Sequence, residues 1–451
     1  MVKIEDLLLM TFGHFYCIIL KIKSQIEFLL NEAIIMKGQK LAERKGYEWV
    51  VYALCFLMIF CGLGFLSTSR GIYLAPITEA LGISRGAFSI GDSFRYITST
   101  IVNFFFGFMV SRFGTKKLMC AGLASLIIAV VLNAVTNHVV GFYLSGVFIG
   151  IGYSWTTTSM VACVVAKWCK KNIGTVMGII LAANGIGGAF ATVIFTPIIN
   201  GSVFGYRKSY FIVAATFAVI LLLVLLLYKD KNSSETDKGK SAKKTYWEGI
   251  SLDKLVKMPY FYVTMICVFF MGIVLQGVSS SFAAHLKDCK LDSGFITMVI
   301  SLHSVCLAGS KVVSGFIYDK FGLRVNVIVC GAAALTALFS FAFISTSVVG
   351  YVLAFVASVM FALALPLETV MLPLFAGNLF GMKSYSHLVG IIASVAYAGF
   401  AVGVPLMGMI YDVFGSYFYG AIVSIVIMFA VTLVFQFVIS SSNKIKKEIL
   451  Q

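Results

Sequence analysis

Residues 209–228 read SYFIVAATFAVILLLVLLLY, and residues 229–257 read KDKNSSETDKGKSAKKTYWEGISLDKLVK. The first is an apolar run of the length a helix needs to cross about 30 Å of hydrocarbon. The second is rich in Lys, Ser, Thr, Asp and Glu and has little to bury, so it reads as a linker in water. Together they divide the chain into two hydrophobic parts. Outward from this division, short signatures recur. Phe113-Gly114 and Phe321-Gly322 lie 208 residues apart, and Val203-Phe204-Gly205 and Val413-Phe414-Gly415 lie 210 apart. Two repeated halves are the expectation for a carrier that rocks about a midplane site.

The remaining sequence extends this pattern. Of 451 residues, 60% are hydrophobic and only 12% charged, against about a quarter charged in water-soluble domains. Apolar runs predict spans at 50–74, 87–110, 117–136, 139–166, 173–198 and 208–228. After the linker they recur at 258–284, 293–318, 323–346, 348–380, 386–411 and 417–440. No period-2 alternation suggests a barrel. The expected fold is an all-α membrane protein, about twelve transmembrane helices in two pseudo-repeated six-helix bundles. Its parts are a leader (1–48), a first bundle (49–228), a cytoplasmic linker (229–257), a second bundle (258–440) and a cytoplasmic tail (441–451).

The first 35 residues fit this scheme poorly. The apolar stretch from Leu7 to Leu20 is short for a span and lacks the basic start and cleavage site of a signal peptide. Two readings stand. One is an amphipathic surface helix. The other is a leader that is not translated, with synthesis starting at Met36, where MKGQKLAERKGYEWVVYA runs directly into the first span. The intact mass of the natively expressed protein separates them, and a mass that includes residues 1–35 overturns the second.

The chain carries 35 Lys and Arg against 19 Asp and Glu, a net charge of +16. In a soluble chain that would suggest nucleic acid; here it reports topology, and no nucleic-acid partner is expected. The clusters Arg112/Lys116/Lys117, Lys167/Lys170/Lys171, Lys320/Arg324, Lys383 and Lys444/Lys446/Lys447 fall on one side if both termini are inside. Loops 136–141 and 345–350 on the other side carry no Lys or Arg. A multi-pass protein of the cytoplasmic membrane with both termini cytoplasmic is therefore expected. The ten cysteines form no C-x-x-C pair, so neither a disulfide framework nor a metal site is read.

Gly107-Phe-Met-Val-Ser111-Arg112-Phe-Gly114-Thr-Lys116-Lys117 resembles the major facilitator superfamily motif G-x-x-x-D-R-x-G-R-K that follows the second helix. Ser111 stands where the family usually has Asp. Gly315-Phe-Ile-Tyr-Asp319-Lys320-Phe-Gly322-Leu-Arg324 resembles its second-half copy and keeps the acid. The resemblance implies a gating network of Gly107, Arg112, Gly114, Asp319, Gly322 and Arg324 that latches the halves on the cytoplasmic side. Ser111 weakens the first latch. Trp168-Cys-Lys170-Lys171-Asn-Ile-Gly174-Thr-Val-Met-Gly178, with Ala183-Asn184-Gly185-Ile-Gly187-Gly188, is similar to the fourth-to-fifth-helix signature of monocarboxylate transporters and oxalate/formate antiporters. Small residues at this spacing let helices approach and slide.

Ionisable groups within spans are costly, at least about 2.5 kcal/mol at a helix centre, and default to functional candidates. Lys311 matches in position the eighth-helix Arg that, in those two families, engages the substrate carboxylate. Lys keeps the attraction and loses the planar fork. Its alternative is snorkelling toward Asp319. Arg70 matches the position of the first-helix basic residue of monocarboxylate transporters and reads equally as an interface anchor. Arg95 lies one helical turn after Asp92, so a local ion pair competes with a cavity role. Glu368 follows Pro366 and lacks a basic neighbour in sequence, and it either pairs across helices or takes and releases a proton as its burial changes. His303 is the second proton-coupling candidate, against a purely structural hydrogen bond. Gln276, Asn184, Tyr96 and Thr156 to Thr158 either line the path or join helices.

Three deep cations against one acid, with Asp92 partly compensating, predict a positive cavity and an anionic substrate. The expected protein is a secondary transporter, not an enzyme and without cofactor. It moves a small organic anion, a monocarboxylate foremost, by proton symport or anion exchange. Substrate-binding candidates are Arg70, Arg95 and Lys311. The Lys that oxalate/formate antiporters carry on the eleventh helix is missing from Val395-Ala-Tyr397-Ala-Gly399-Phe, which puts a monoanion above a dianion. Two rival readings are an exporter of amphipathic or cationic compounds with Glu368 as the binding acid, and a non-transporting membrane sensor.

Overall fold

The computed structural model describes residues 46–169, 171–230 and 247–450. Both readings of residues 1–35, and most of the linker, lie outside these. Among the described residues, ten helices are long and apolar enough to cross a bilayer. Two further spans join these. Ser293–Ala342 runs for 50 residues but breaks at Gly322, where φ is 82° and ψ 177°, and so forms two antiparallel-joined spans. Arg85–Phe104 with Phe106–Phe113 carries Asp92 and Arg95, which keep apolarity alone from picking it out.

The first half then consists of Tyr47–Leu63 continued through Gly64–Thr68 and Gly71–Leu81, Arg85–Phe104 with Phe106–Phe113, Thr115–Val135, Val139–Thr156 with Thr158–Trp168, Ile173–Asn200, and Gly205–Leu227. The second consists of Pro259–Asp288, the two arms of Ser293–Ala342, Val348–Ala364 continued through Leu365–Glu368, Met371–Phe375 and Ala376–Phe380, then Tyr385–Phe414 and Phe418–Leu450. These are twelve spans in two six-helix bundles, numbered first to twelfth below. Most boundaries move by about four residues or fewer, and two move further. The first span reaches Leu81 rather than residue 74 by way of a π-turn and Pro76. The twelfth runs on through residues 441–450, because Lys and Glu favour helix and nothing interrupts it.

The repeated Phe-Gly pairs mark the same backbone event. Gly114 has φ 78° and ψ 164°, and Gly322 has φ 82° and ψ 177°. Only glycine adopts this region without strain, and it reverses the chain between consecutive spans with no loop. The second pair occupies equivalent places for different reasons. Gly415 adopts left-handed φ, whereas a Cβ on Gly205 would lie 2.3 Å from the Ile198 carbonyl oxygen.

Ends of the spans are fixed by carboxylates. Asp230, just past the sixth span, accepts from the Thr115 N–H at 2.9 Å and the Thr115 hydroxyl at 2.7 Å, and pairs with Lys167 at 3.1 Å. It thereby caps the third span and ties the start of the linker to the first half. Burial raises its carboxyl, but the Thr115 hydrogen bonds and Lys167 outweigh that and hold it below its ordinary 3.8. A carboxylate held low stabilises fully above the unfolded value, and the contribution is lost as pH falls through the folded one. Asp230→Asn is thus expected to lower the thermal midpoint by about 2 °C at pH 7. The difference should shrink below about pH 3.8; a midpoint unchanged at pH 7 would remove this anchor.

Residues 247–250 return along the turn before the eleventh span. Ile250 N–H donates to Phe380 O at 3.1 Å, and Lys383 N–H donates to Glu248 O at 2.8 Å. Everything described from Glu48 onward belongs to one compact unit.

The halves meet along two seams at the end carrying the basic loops. A Cβ on Gly107 would lie 2.4 Å from His387 Cα, and one on Gly390 would lie 2.5 Å from Asn103 O, joining the second span to the eleventh. In the fifth–eighth seam, Gly174 meets Gly315 and Gly178 meets Lys311 backbone to backbone. Small residues allow this contact without a driving force from water.

Candidate functional site: a polar cavity between the halves

The second span decides where the charge sits. Asp92, Arg95, Tyr96, Ser99 and Asn103 recur at spacings of three and four residues, so they share one helical face. Ile90, Phe94, Ile97, Ile101 and Phe104 lie on the other and are exposed toward lipid. The polar stripe packs on the fourth span, where the Ser99 hydroxyl donates to Gly150 O at 3.2 Å and the Asn103 amide donates to Ser154 Oγ at 2.8 Å. Gly150 allows the approach, since a Cβ there would lie 2.7 Å from the Arg95 carbonyl oxygen.

Above this contact lies a cavity of about 140 Å³ between the halves. The first half contributes Leu63, Ser67, Arg95, Tyr96, Ser99, Tyr153, Thr158, Ser159 and Asn184. The second contributes Gln276, Glu368, Thr369, Leu372, Ala393, Ala396, Tyr397 and Phe400. The Gln276 amide donates to Tyr96 Oη at 3.0 Å and so ties seventh span to second across the cavity. Most of the wall is hydroxyl or aromatic.

Arg95 is the one predicted substrate-binding residue on the wall. The residue is 5% exposed, and its guanidinium stands 4.6 Å from the Tyr96 ring centre. One nitrogen, Nη2, pairs with Asp92 at 3.0 Å, so the local pair and the cavity role coexist. Nε and Nη1 are buried without a hydrogen-bond partner. Arg70 does not line the cavity. Its Nε pairs with the same Asp92 at 2.8 Å, and its guanidinium stands over Phe88. Asp92 is thus shared between two arginines.

Lys311 is buried rather than snorkelled, at 1% exposure. Its ammonium donates to Asn184 Oδ1 at 2.7 Å and more weakly to Leu181 O at 3.4 Å. It stands behind a cavity-lining side chain and bridges the eighth span to the fifth. Asp319, the acid toward which a snorkelling Lys311 would reach, is engaged elsewhere. It accepts from Gly174 N–H at 3.0 Å and from Thr175 N–H and Oγ1, each at 2.7 Å. A carboxylate on the first N–H groups of the fifth span is a charge-assisted latch between halves.

Of the other gating candidates, Gly107 lies in a seam. Arg112 stacks over Phe108 and Phe113, Arg324 donates to Gln436 Oε1, and Gly114 and Gly322 shape the chain reversals. Ser111 donates to Phe108 O of its own helix at 2.8 Å. Asp319→Asn keeps an acceptor and loses the charge, which is expected to cost the closed seam about 1–2 kcal/mol. Distance measurements between labels on Lys171 and Lys320 would show the open population growing several-fold; an unchanged distribution would dismiss the latch.

Glu368 ends the short 3₁₀ turn Leu365–Glu368, which contains Pro366 and interrupts the tenth span. Irregular backbone at membrane depth is tolerated where it lines a cavity, and here it does. Glu368 Oε2 is buried without a hydrogen-bond partner. His303 lies away from the wall, with Nδ1 3.0 Å from Ser358 O and its ring between Phe282 and Phe361. Sequence reasoning missed Ser99, which the polar stripe could have revealed. It also missed Tyr153, Tyr397 and Thr369, which no local pattern marks.

Two six-helix halves closed on one end around a shared polar cavity define a membrane carrier. The chain belongs to the Major Facilitator Superfamily, which it matches over residues 53–381. It is 25% identical over 58% of its length to the uncharacterised MFS-type transporter YcxA of Bacillus subtilis, covering 68% of that protein. It is 21% identical over 61% of its length to the oxalate:formate antiporter of Oxalobacter formigenes, covering 65% of it. The E. coli fucose:proton symporter FucP shares the fold, with a TM-score of 0.65 at 15% identity, over 87% of this chain and 99% of that one. The chain spans about two thirds of the length of the two sequence relatives.

Proposed function

We propose that this transporter moves a small organic anion, a monocarboxylate foremost, by alternating access about the cavity. The observation that carries the reading is the buried Arg95 guanidinium, which belongs to a residue of the cavity wall and keeps two N–H groups without a hydrogen-bond partner. With all groups ionised, Arg70, Arg95 and Lys311 exceed Asp92 and Glu368 by one positive charge, which favours an anion in a region of low dielectric. Arg95 binds the carboxylate, Lys311 acts through Asn184, and Arg70 stands beside them as Asp92's second partner. Glu368, on the wall, carries the coupled proton if the mechanism is symport; His303 is the second candidate, set back from it.

The bundles 49–228 and 258–440 rock as units around the linker 229–257. The Asp319 latch and the glycine seams close the end that carries the basic loops, which positive-inside bias makes cytoplasmic. Such a carrier resides in the cytoplasmic membrane. Similarity to an oxalate:formate antiporter supports an anion. The test is uptake of labelled lactate, pyruvate, formate and oxalate into proteoliposomes with an imposed pH gradient or preloaded anion. Saturable accumulation of a monoanion is expected; folded protein that moves none of the four under either condition overturns the reading for this panel.

A further inference from the structure

The pattern of satisfied and unsatisfied groups on the cavity wall narrows the solute further. Ser99, Tyr153, Ser159 and Thr369 each donate to an acceptor of the protein, and Asn184 Oδ1 is taken by Lys311. Among the described lining side chains, the fully buried polar atoms without a hydrogen-bond partner are Arg95 Nε and Nη1 and Glu368 Oε2, while Ser67 and Thr158 add hydroxyls to the wall. The first two are donors on the second span, in one half. The third is an acceptor on the tenth span, in the other.

We propose that the substrate is a carboxylate bearing its own hydrogen-bond donor, a hydroxyl or ammonium group, so that Arg95 takes the carboxylate and Glu368 takes the donor. This rests on the anion reading above and specifies it. A buried acceptor left bare is costly, and a site built to receive a donor discriminates against the analogue that lacks one. A plain alkanoate satisfies Arg95 and strands Glu368. A hydroxylated or aminated acid satisfies both and, because the two groups belong to different halves, bridges the parts that must move together. The excess positive charge favours the hydroxyl over the ammonium, since an ammonium would cancel the charge of its own carboxylate.

The experiment is ligand-induced thermal stabilisation and competition binding on the purified full chain, with acids matched in carbon number. The probes are propionate, lactate and alanine at three carbons, and hexanoate and gluconate at six. The expected result is at least about tenfold tighter binding of the donor-bearing member in one or both sets. Glu368→Ala should collapse that ratio to about threefold or less, and Glu368→Gln, which keeps an acceptor oxygen, should restore most of it. Preference for lactate or gluconate supports a hydroxyl, and preference for alanine an ammonium. Equal binding of donor-bearing and plain acids overturns this proposal and leaves the anion reading standing, as does a ratio that survives in Glu368→Ala. Absence of binding by any of the acids overturns both.

Discussion

Replacing Arg95 by glutamine is expected to lower carboxylate uptake about 100-fold in kcat/KM. A hydrogen bond to a charged group contributes about 1.5–3 kcal/mol, and every 1.4 kcal/mol is tenfold. Losing the charge and both free donors therefore removes roughly 2.7 kcal/mol of differential binding. Arg95→Lys should recover part of this, because it restores the charge as a point without the fork that meets both carboxylate oxygens. The fold should tolerate either change, since Arg70 continues to pair with Asp92. Thermal denaturation of each variant checks that, and radiolabelled uptake checks the kinetics. A folded Arg95→Gln variant with full uptake would remove the cavity reading of this residue.

The second large effect concerns closure. A Cβ on Gly315 would lie 2.1 Å from Gly174 O and 2.6 Å from Gly174 C, both backbone atoms that no rotamer change can move aside. Overpacking of this severity costs about 3 kcal/mol or more, enough to depopulate the present conformation about 100-fold. Gly315→Val is therefore expected to fold, to insert, and to lose at least 90% of its transport while remaining open at the basic-loop end. Spin labels at Lys116 and Lys383, on the two halves, should report a longer distance than in the unmodified chain. Full transport, or an unchanged distance, would show that this seam need not close. Gly408→Val serves as the control, because a Cβ there meets nothing within 4 Å.

Each of these effects has a different degree of visibility in the chain. The seam was half legible. The motif copies at Gly107–Lys117 and Gly315–Arg324 mark the loop ends, and the glycines of the fifth span announce close packing. That Gly174 meets Gly315, rather than some other small residue, is a matter of how two bundles dock. Asp319 was visible as an acid retained in a motif. Its partners, the first N–H groups of the fifth span, lie 145 and 144 residues away. Asp230 is one charge among many in a polar linker, with no local pattern to mark it, yet it caps a helix 115 residues earlier.

Sequence by itself determined the membrane class, the duplicated halves and the list of intramembrane charges. Those follow from composition, from run length and from local spacing, which a bilayer makes decisive because it admits few backbone structures and penalises every charge. Tertiary structure alone decided which charges share a cavity. Arg95 and Glu368 reach its wall, Arg70 is turned onto Asp92, Lys311 stands behind Asn184, and His303 bonds to the neighbouring Ser358 carbonyl. The reason is geometric. A charge at a given depth can face lipid, a neighbouring helix or a cavity, and the choice depends on helix rotation and on close approaches set by glycines in other spans.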